Sequence, residues 1–428
     1  MLTRLDLRGA TDVASFLPRP ADQGEEPVAA VRAILDAVRD KGDVAVRELT
    51  ARFDGVDLDD LRVPTQECTA ALARIPAALR GALELAAERI EAFHRTQVHA
   101  TAAFDRDGIR VETRSTPVDR AGCYVPGGRA VYPSTVLMTA LPAWVAGVPE
   151  IVLAVPPDGT TGMPPDATLA AAAIAGVDEV YRIGGAQAIG ALAYGTESLR
   201  PVDVIAGPGN VYVAVAKRMV AGEGRVGVPA AFAGPSEVVV VADATVPAEF
   251  AAVDVVVQAE HGPGGLAWLV TWDEQVLDAV TEAVGRIAAA SARRDDLEAT
   301  LGSNGYAVLV DGPEHAMAVA NAIAPEHLEL MCADPEALVP LVRHAGAVFC
   351  GPWSPASLGD YLAGPSHVLP TNGSARFGQA LTVADFTKHI HVVTATEAGL
   401  RAAAGAVVAL ADAEGLPAHA ASVRWRTQ

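Results

Sequence analysis

Positive charge is scarce in this chain. Its 32 Lys and Arg face 52 Asp and Glu, for a formal net charge of −20. So acidic a surface repels nucleic-acid phosphates and anionic lipid headgroups, which excludes a nucleic-acid partner and a membrane partner. Cysteine is scarce as well. Cys68, Cys123, Cys332 and Cys350 lie far apart with no CxxC spacing, which rules out a disulfide framework and a zinc knuckle. Cys123 sits beside a glycine turn, but nothing near it activates a thiolate, so it reads as a buried, inert thiol. Long apolar runs are missing. The best candidate, 140–157, is interrupted by Pro142, Gly147, Pro149, Glu150 and Pro156 and falls short of the roughly 18 apolar residues a span needs. The N-terminus has no continuous apolar core after its first basic residue and is not a signal peptide. A soluble, cytoplasmic protein is expected.

What is present is apolar bulk. At 428 residues and 51% hydrophobic content, two or three domains with large cores are expected. Apolar residues at helical spacing mark helices over 27–40, 43–53 and 75–93,. From about residue 109 short strands alternate with helices: strands at 151–155, 179–183 and 202–206, helices at 166–175, 186–194 and 211–220. After a seam near 231–235 a second run follows, with strands at 237–241, 267–271, 307–310 and 347–350 and helices at 248–260, 275–292 and 314–323. Alternation at crossover spacing predicts parallel sheets wrapped by helices. The fold class is therefore α/β: two Rossmann-like parallel-sheet units in series, with a helical N-terminal section and a small C-terminal appendage.

The chemistry-bearing residues are scattered. Gln258 and His261 are three apart near a helix end that Gly262, Pro263, Gly264 and Gly265 terminate,. Side by side they suit a metal, or else form a polar helix end. In Ala324-Pro325-Glu326-His327 the proline fits a first helical position. Glu326 and His327 then fall in a first turn, whose field keeps an imidazole neutral and able to take a proton, with Glu326 a general base for water. The Gly- and Pro-dense stretch 351–370 follows a strand, where α/β folds carry sites, and offers Asp360 and His367. Glu414 and His419 stand near the C-terminus. No HExxH or zinc-finger spacing links these residues, so a metal site must be assembled from distant parts; Gln258, His261, Asp360 and His419 make a mixed N/O set suited to zinc. The turns at Gly184-Gly185-Ala186-Gln187 and Gly207-Pro208-Gly209-Asn210 each open a helix after a strand, as a pyrophosphate site does. Neither is a dinucleotide fingerprint, and close packing explains the glycines equally well.

The order and spacing of these segments resemble the histidinol dehydrogenase family over nearly the whole chain. Tyr124-Val125-Pro126-Gly127-Gly128, Ser134-Thr135-Val136-Leu137-Met138, the two glycine turns, Gly234-Pro235-Ser236-Glu237-Val238, 258–263, Pro325-Glu326-His327-Leu328 and 353–370 carry the likeness. The departures are small: glycine at 264 and Pro417 before the terminal histidine. The resemblance implies one Zn2+ per subunit on Gln258, His261, Asp360 and His419, the last reaching over from the partner of an intertwined homodimer. It implies Glu326 and His327 as the catalytic pair. The zinc ligands together with Ser236, His327, His367 and Glu414 would meet L-histidinol, and Tyr124, Gln187 and Asn210 would meet NAD. The reaction implied is two successive NAD-linked oxidations, through histidinaldehyde, to L-histidine in histidine biosynthesis. A dehydrogenase of another amino alcohol, a silent zinc-binding protein and a zinc hydrolase are the competing readings. The expected domains are an N-terminal arm (1–24), a main α/β domain bearing zinc and substrate residues (25–126 with 236–377), an NAD-binding domain (127–235) and a tail serving the dimer partner (378–428).

Overall fold

The computed structural model describes residues 1–18, 27–98, 102–128, 130–229, 236–260 and 264–428. The chain opens with strand β1 (Thr3–Asp6) and four helices, α1 (Val28–Lys41), α2 (Asp43–Asp54), α3 (Thr65–Arg74) and α4 (Ala77–Arg95). A hairpin follows, β2 (Ala102–Arg106) and β3 (Ile109–Pro117), turned on Asp107 and Gly108, both at positive φ as a two-residue turn demands,. The first α/β run is β4 (Arg120–Tyr124), α5 (Pro133–Ala146), β5 (Glu150–Val155), α6 (Asp166–Ile174), β6 (Glu179–Arg182), α7 (Gly185–Tyr194), β7 (Val204–Ala206) and α8 (Val211–Gly222). The second is β8 (Glu237–Ala242), α9 (Ala248–Ala259), β9 (Leu266–Thr271), α10 (Glu274–Ala290), α11 (Arg294–Asn304), β10 (Gly305–Leu309), α12 (Pro313–Ile323), β11 (His327–Met331), α13 (Pro335–Leu338), β12 (Ala347–Cys350) and α14 (Ala356–Tyr361). Strand β13 (Thr387–Ala395) and helices α15 (Glu397–Ala413) and α16 (Pro417–Thr427) end the chain.

Two parallel sheets form as the alternation predicts. One has the order β6-β5-β4-β7, the other β1-β10-β9-β8-β11-β12. Their central strands are buried on both faces, which is why 121–124, 238–242 and 266–270 carry no charged residue,. The hairpin takes β13 as a third, antiparallel strand, in the order β13-β3-β2, so the appendage is anchored at its base.

Three expectations on domain organisation are corrected. The N-terminal segment is not a free arm, since β1 adds to the second sheet parallel to β10. The helical section belongs to the first sheet. Val31, Leu35 and Val38 of α1 share a core with Val152, Tyr181 and Ile189, and Cys68 and Ile90 share one with Leu153 and Val180. Strand β4, also assigned to the other unit, lies inside the first sheet between β5 and β7. Sequence adjacency misled here: helices that precede a sheet bury their apolar stripes on the nearest open face, and that face was offered by β4–β6. The units are joined where Val368, Leu381 and Phe386 pack against Ala121, Ala143, Val204 and Ala206. The proposed seam at 231–235 lies outside the described residues. Among the described residues no helix is long and apolar enough to cross a membrane.

Candidate active site

Glu326 and His327 stand where the chain enters β11, between β8 and β12. The helix start expected there is not formed. Helix α12 ends at Ile323, Ala324 closes it in the left-handed region (φ 56), and β11 begins at His327. Burial decides this, because Leu328, Leu330 and Met331 fill a strand covered on both faces,. The helix-terminal field expected to keep His327 neutral is therefore absent. The site also departs from the usual edge of an α/β sheet: Glu237 opens β8 and His327 opens β11, so both lie at the N-terminal edge.

Glu326 is buried, and its carboxylate accepts the Glu237 N–H (3.0 Å) and the Ser236 hydroxyl. Burial, partly opposed by the neighbouring His327, pushes its acid up to about 7. His327 Nδ1 lies 3.2 Å from the Glu237 carbonyl oxygen. A carbonyl only accepts, so Nδ1 carries the hydrogen and Nε2 faces the Asp360 carboxylate, 3.5 Å away,. Burial draws the imidazolium down, but Glu326 and Asp360 outweigh it and raise His327 to about 9. Glu237 was not singled out from the sequence. Its own carboxyl accepts the Asn372 N–H at 3.0 Å and is pushed to about 8 by burial and by Glu326.

A cavity of about 440 Å³ opens in front of His327, lined also by Phe349, Leu358, Asp360 and His367 among others. That volume suits a small-molecule substrate. His367 spans it: Nδ1 donates to the Asp360 carbonyl (3.0 Å), and Nε2 accepts the hydroxyl of Thr135 (3.0 Å), which comes from α5 beside the first sheet. The two sheets thus meet at this pocket.

Of the expected zinc ligands, Gln258, Asp360 and His419 fall within the described residues. Gln258 lies in the last turn of α9 and is 3% exposed, with a side-chain nitrogen that has no partner among the described residues. Asp360 sits in α14, and the charge of Glu260, at the end of α9, acts on its neighbour Tyr361. His261 lies outside the described residues. Among the described residues no cluster of three or more His, Cys, Asp or Glu is placed to hold a metal. His419 is exposed on α16, which packs on α15, and Glu414 is the exposed cap of α15. Neither lines the pocket of its own chain. The described donors, a buried amide with one end unsatisfied and a carboxylate, fit a borderline divalent ion that needs further ligands from elsewhere.

The residues assigned to NAD gather at the C-terminal edge of the first sheet. From β4 the order runs outward to β6, then returns to β7 on the other side, which puts the switch point between β4 and β7,. Tyr124, ending β4, is buried, and its hydroxyl accepts the Gly185 N–H at 3.1 Å. Gly207, after β7, has φ +114, and a Cβ there would collide with the Tyr124 carbonyl. Asn210 caps α8 by accepting the Val213 N–H at 3.2 Å, and Gln187 is buried with a side-chain oxygen that has no partner among the described residues. Lys217, overlooked in the sequence, donates from beneath to the Gly207 carbonyl, and burial pulls its ammonium down to about 7. Cys123, in β4, is fully buried with its thiol pushed up to about 12, in keeping with an inert role.

The family model for histidinol dehydrogenase matches residues 17–427. Histidinol dehydrogenase of Rhizobium meliloti (strain 1021) is 47% identical, covering 99% of this chain and 98% of its own. Histidinol dehydrogenase 2 of Trichormus variabilis is 49% identical, covering 97% of each chain. The crystal structure of histidinol dehydrogenase from Elizabethkingia anophelis superposes with a TM-score of 0.94 at 34% identity, covering 99% of this chain and 98% of that one. The buried Glu326–His327 pair, the pocket before it and a likeness that runs from end to end agree: the chain belongs to the histidinol dehydrogenase family, NAD-dependent oxidoreductases of histidine biosynthesis.

Proposed function

We propose that the chain is a cytoplasmic, zinc-dependent homodimer that oxidises L-histidinol twice, through histidinaldehyde, to L-histidine. The observation that carries this reading is the pair Glu326 and His327, adjacent in the chain and held by the two backbone groups of one residue, the N–H and the carbonyl of Glu237. An alcohol oxidation and an aldehyde hydration each need a base, at different atoms.

Gln258, His261 and Asp360, with His419 of the second subunit, would hold the zinc, which supplies a fixed positive point to orient the imidazole and amine of the substrate. Asp360 is then engaged, leaving Glu326 as the remaining carboxylate against His327. His327 takes the hydroxyl proton at Nε2 while the carbon-bound hydrogen leaves as hydride to NAD. Ser236 and the Glu237 N–H hold Glu326 in place. Glu326 accepts a proton from water as the oxygen adds to the aldehyde carbon, and the hydrate loses a second hydride and proton to give the carboxylate. His367, fixed between Asp360 and Thr135, closes the substrate pocket towards the first sheet, where Tyr124, Gln187 and Asn210 receive the nicotinamide nucleotide. Exposure of Glu414 and His419 supports their use by the other subunit.

Purified protein mixed with L-histidinol and NAD, with and without a chelator, tests the reading. Two NADH per histidine, lost on chelation, is the expected result. One NADH per molecule consumed points to another alcohol dehydrogenase. Product without nicotinamide points to a hydrolase, and stoichiometric zinc without turnover to a silent binding protein.

A further inference from the structure

Two acidic residues interrupt otherwise apolar stretches, Asp254 in Ala-Val-Asp-Val-Val of α9 and Glu329 in Leu-Glu-Leu-Met of β11. Both are buried, at 7% and 1% exposure. Their carboxyls meet at hydrogen-bonding distance. Glu329 Oε1 accepts the Ala356 N–H (2.8 Å) at the start of α14, and among the described residues no N–H or hydroxyl group donates to its Oε2. Two carboxylates cannot face one another in an apolar core without a proton between them. Burial raises both acids, Glu329 strongly, in the direction that keeps that proton in place.

The pair lies one step below the site on three elements at once. Helix α9 runs back along the sheet from the end of β8 to the edge where β11 begins. Gln258 follows Asp254 by four residues, about 6 Å of helix rise. His327 precedes Glu329 by two, about 6.6 Å of strand. Asp360 follows Ala356 by four on α14, again about 6 Å, and its carboxylate is at His327. Gln258, His327 and Asp360 therefore share one level, and Asp254, Glu329 and Ala356 share the level beneath.

We propose that Asp254 and Glu329, sharing one proton, form a positioning clamp that sets the height at which Gln258 and Asp360 meet the metal. The clamp ties both ligand-bearing helices to the strand that carries His327. It touches neither substrate nor metal. This inference rests on the zinc reading above.

The test is zinc affinity of the full-length protein, measured by competition with a chromogenic chelator, beside far-ultraviolet dichroism and Tm. Glu329→Gln supplies a fixed N–H to Asp254 and keeps an acceptor for Ala356, so its zinc Kd stays within threefold of wild type. Glu329→Leu and Asp254→Leu remove the tie and raise the zinc Kd tenfold or more, the range typical of outer ligand supports. A folded Glu329→Leu with wild-type affinity overturns the clamp. So does a tenfold loss in Glu329→Gln, which preserves shape and decides the matter even where the leucine variants do not fold. Wild-type protein that takes up no zinc instead overturns the metal reading, and the clamp with it.

Discussion

Lys217 is a charge in the wrong place, and replacing it with methionine should strengthen the fold while weakening cofactor binding. The side chain is 2% exposed, and its hydrogen-bond acceptor is the buried Gly207 carbonyl. Its folded value of about 7 lies below the 10.5 of an ordinary lysine, so the unfolded chain holds one more proton across that window. Stability from this group is accordingly least below pH 7, rises between 7 and 10.5, and levels off above. The full difference corresponds to about 5 kcal/mol, of which about 2 kcal/mol is recovered between pH 7 and 9. Lys217→Met removes that slope. At pH 7 it also leaves the Gly207 carbonyl without its partner, at a cost of about 1–3 kcal/mol. The net expectation is a variant about 2–4 kcal/mol more stable than wild type at pH 7, with the advantage shrinking by about 2 kcal/mol at pH 9. Urea unfolding of both proteins at several pH values measures the difference, in which all other titrating groups cancel. The Gly207–Asn210 turn loses its anchor in the variant, so the Kd for NAD should rise several-fold. Parallel pH profiles for the two proteins would refute the argument.

Two further outcomes follow from the site. Glu326→Gln should slow oxidation of supplied histidinaldehyde at least 100-fold and its formation from histidinol much less, since the loss of a general base costs about 10²–10⁴; equal loss in single-turnover measurements of the two steps would argue against separate bases. His419→Asn should raise the zinc Kd of the homodimer tenfold or more without moving its far-ultraviolet dichroism. If His419 serves the neighbouring subunit, as proposed, mixing that variant with Glu326→Gln subunits should restore about a quarter of the wild-type activity at random reassortment; mixtures no more active than the separate variants would place His419 in its own chain's site.

Periodicity made most of the α/β layering legible. The regular alternation in 151–220 and 237–323 depends on local apolar spacing, and nearly every helix and strand read there is present. The elements it missed have other causes. Strand β1 is four residues long and mostly exposed, with a meaning only beside β10. Hairpin strands β2 and β3 and their partner β13 are largely solvent-facing, so no buried stripe marks them. The 325–331 stretch showed a proline and an acidic residue, which mimic a helix start; the neighbours β8 and β12 make it a strand. Asp254 and Glu329 left a signal that was available, a single charge inside a run of apolar residues; Glu237 only heads such a run, and Lys217 stands beside Arg218, so burial alone sets them apart.

The sequence by itself determined the residues able to do this chemistry and the layers they sit in, because side-chain type and local periodicity are written along one dimension. Tertiary structure alone decided which helices cover which sheet, that Glu326 and His327 stand at the N-terminal edge of β11 beside β8, and in which direction the acidities of His327, Glu326 and the buried carboxyls are shifted. Those outcomes depend on the distance between groups remote in the chain and on how much water their packing removes. Neither quantity exists until the chain has folded.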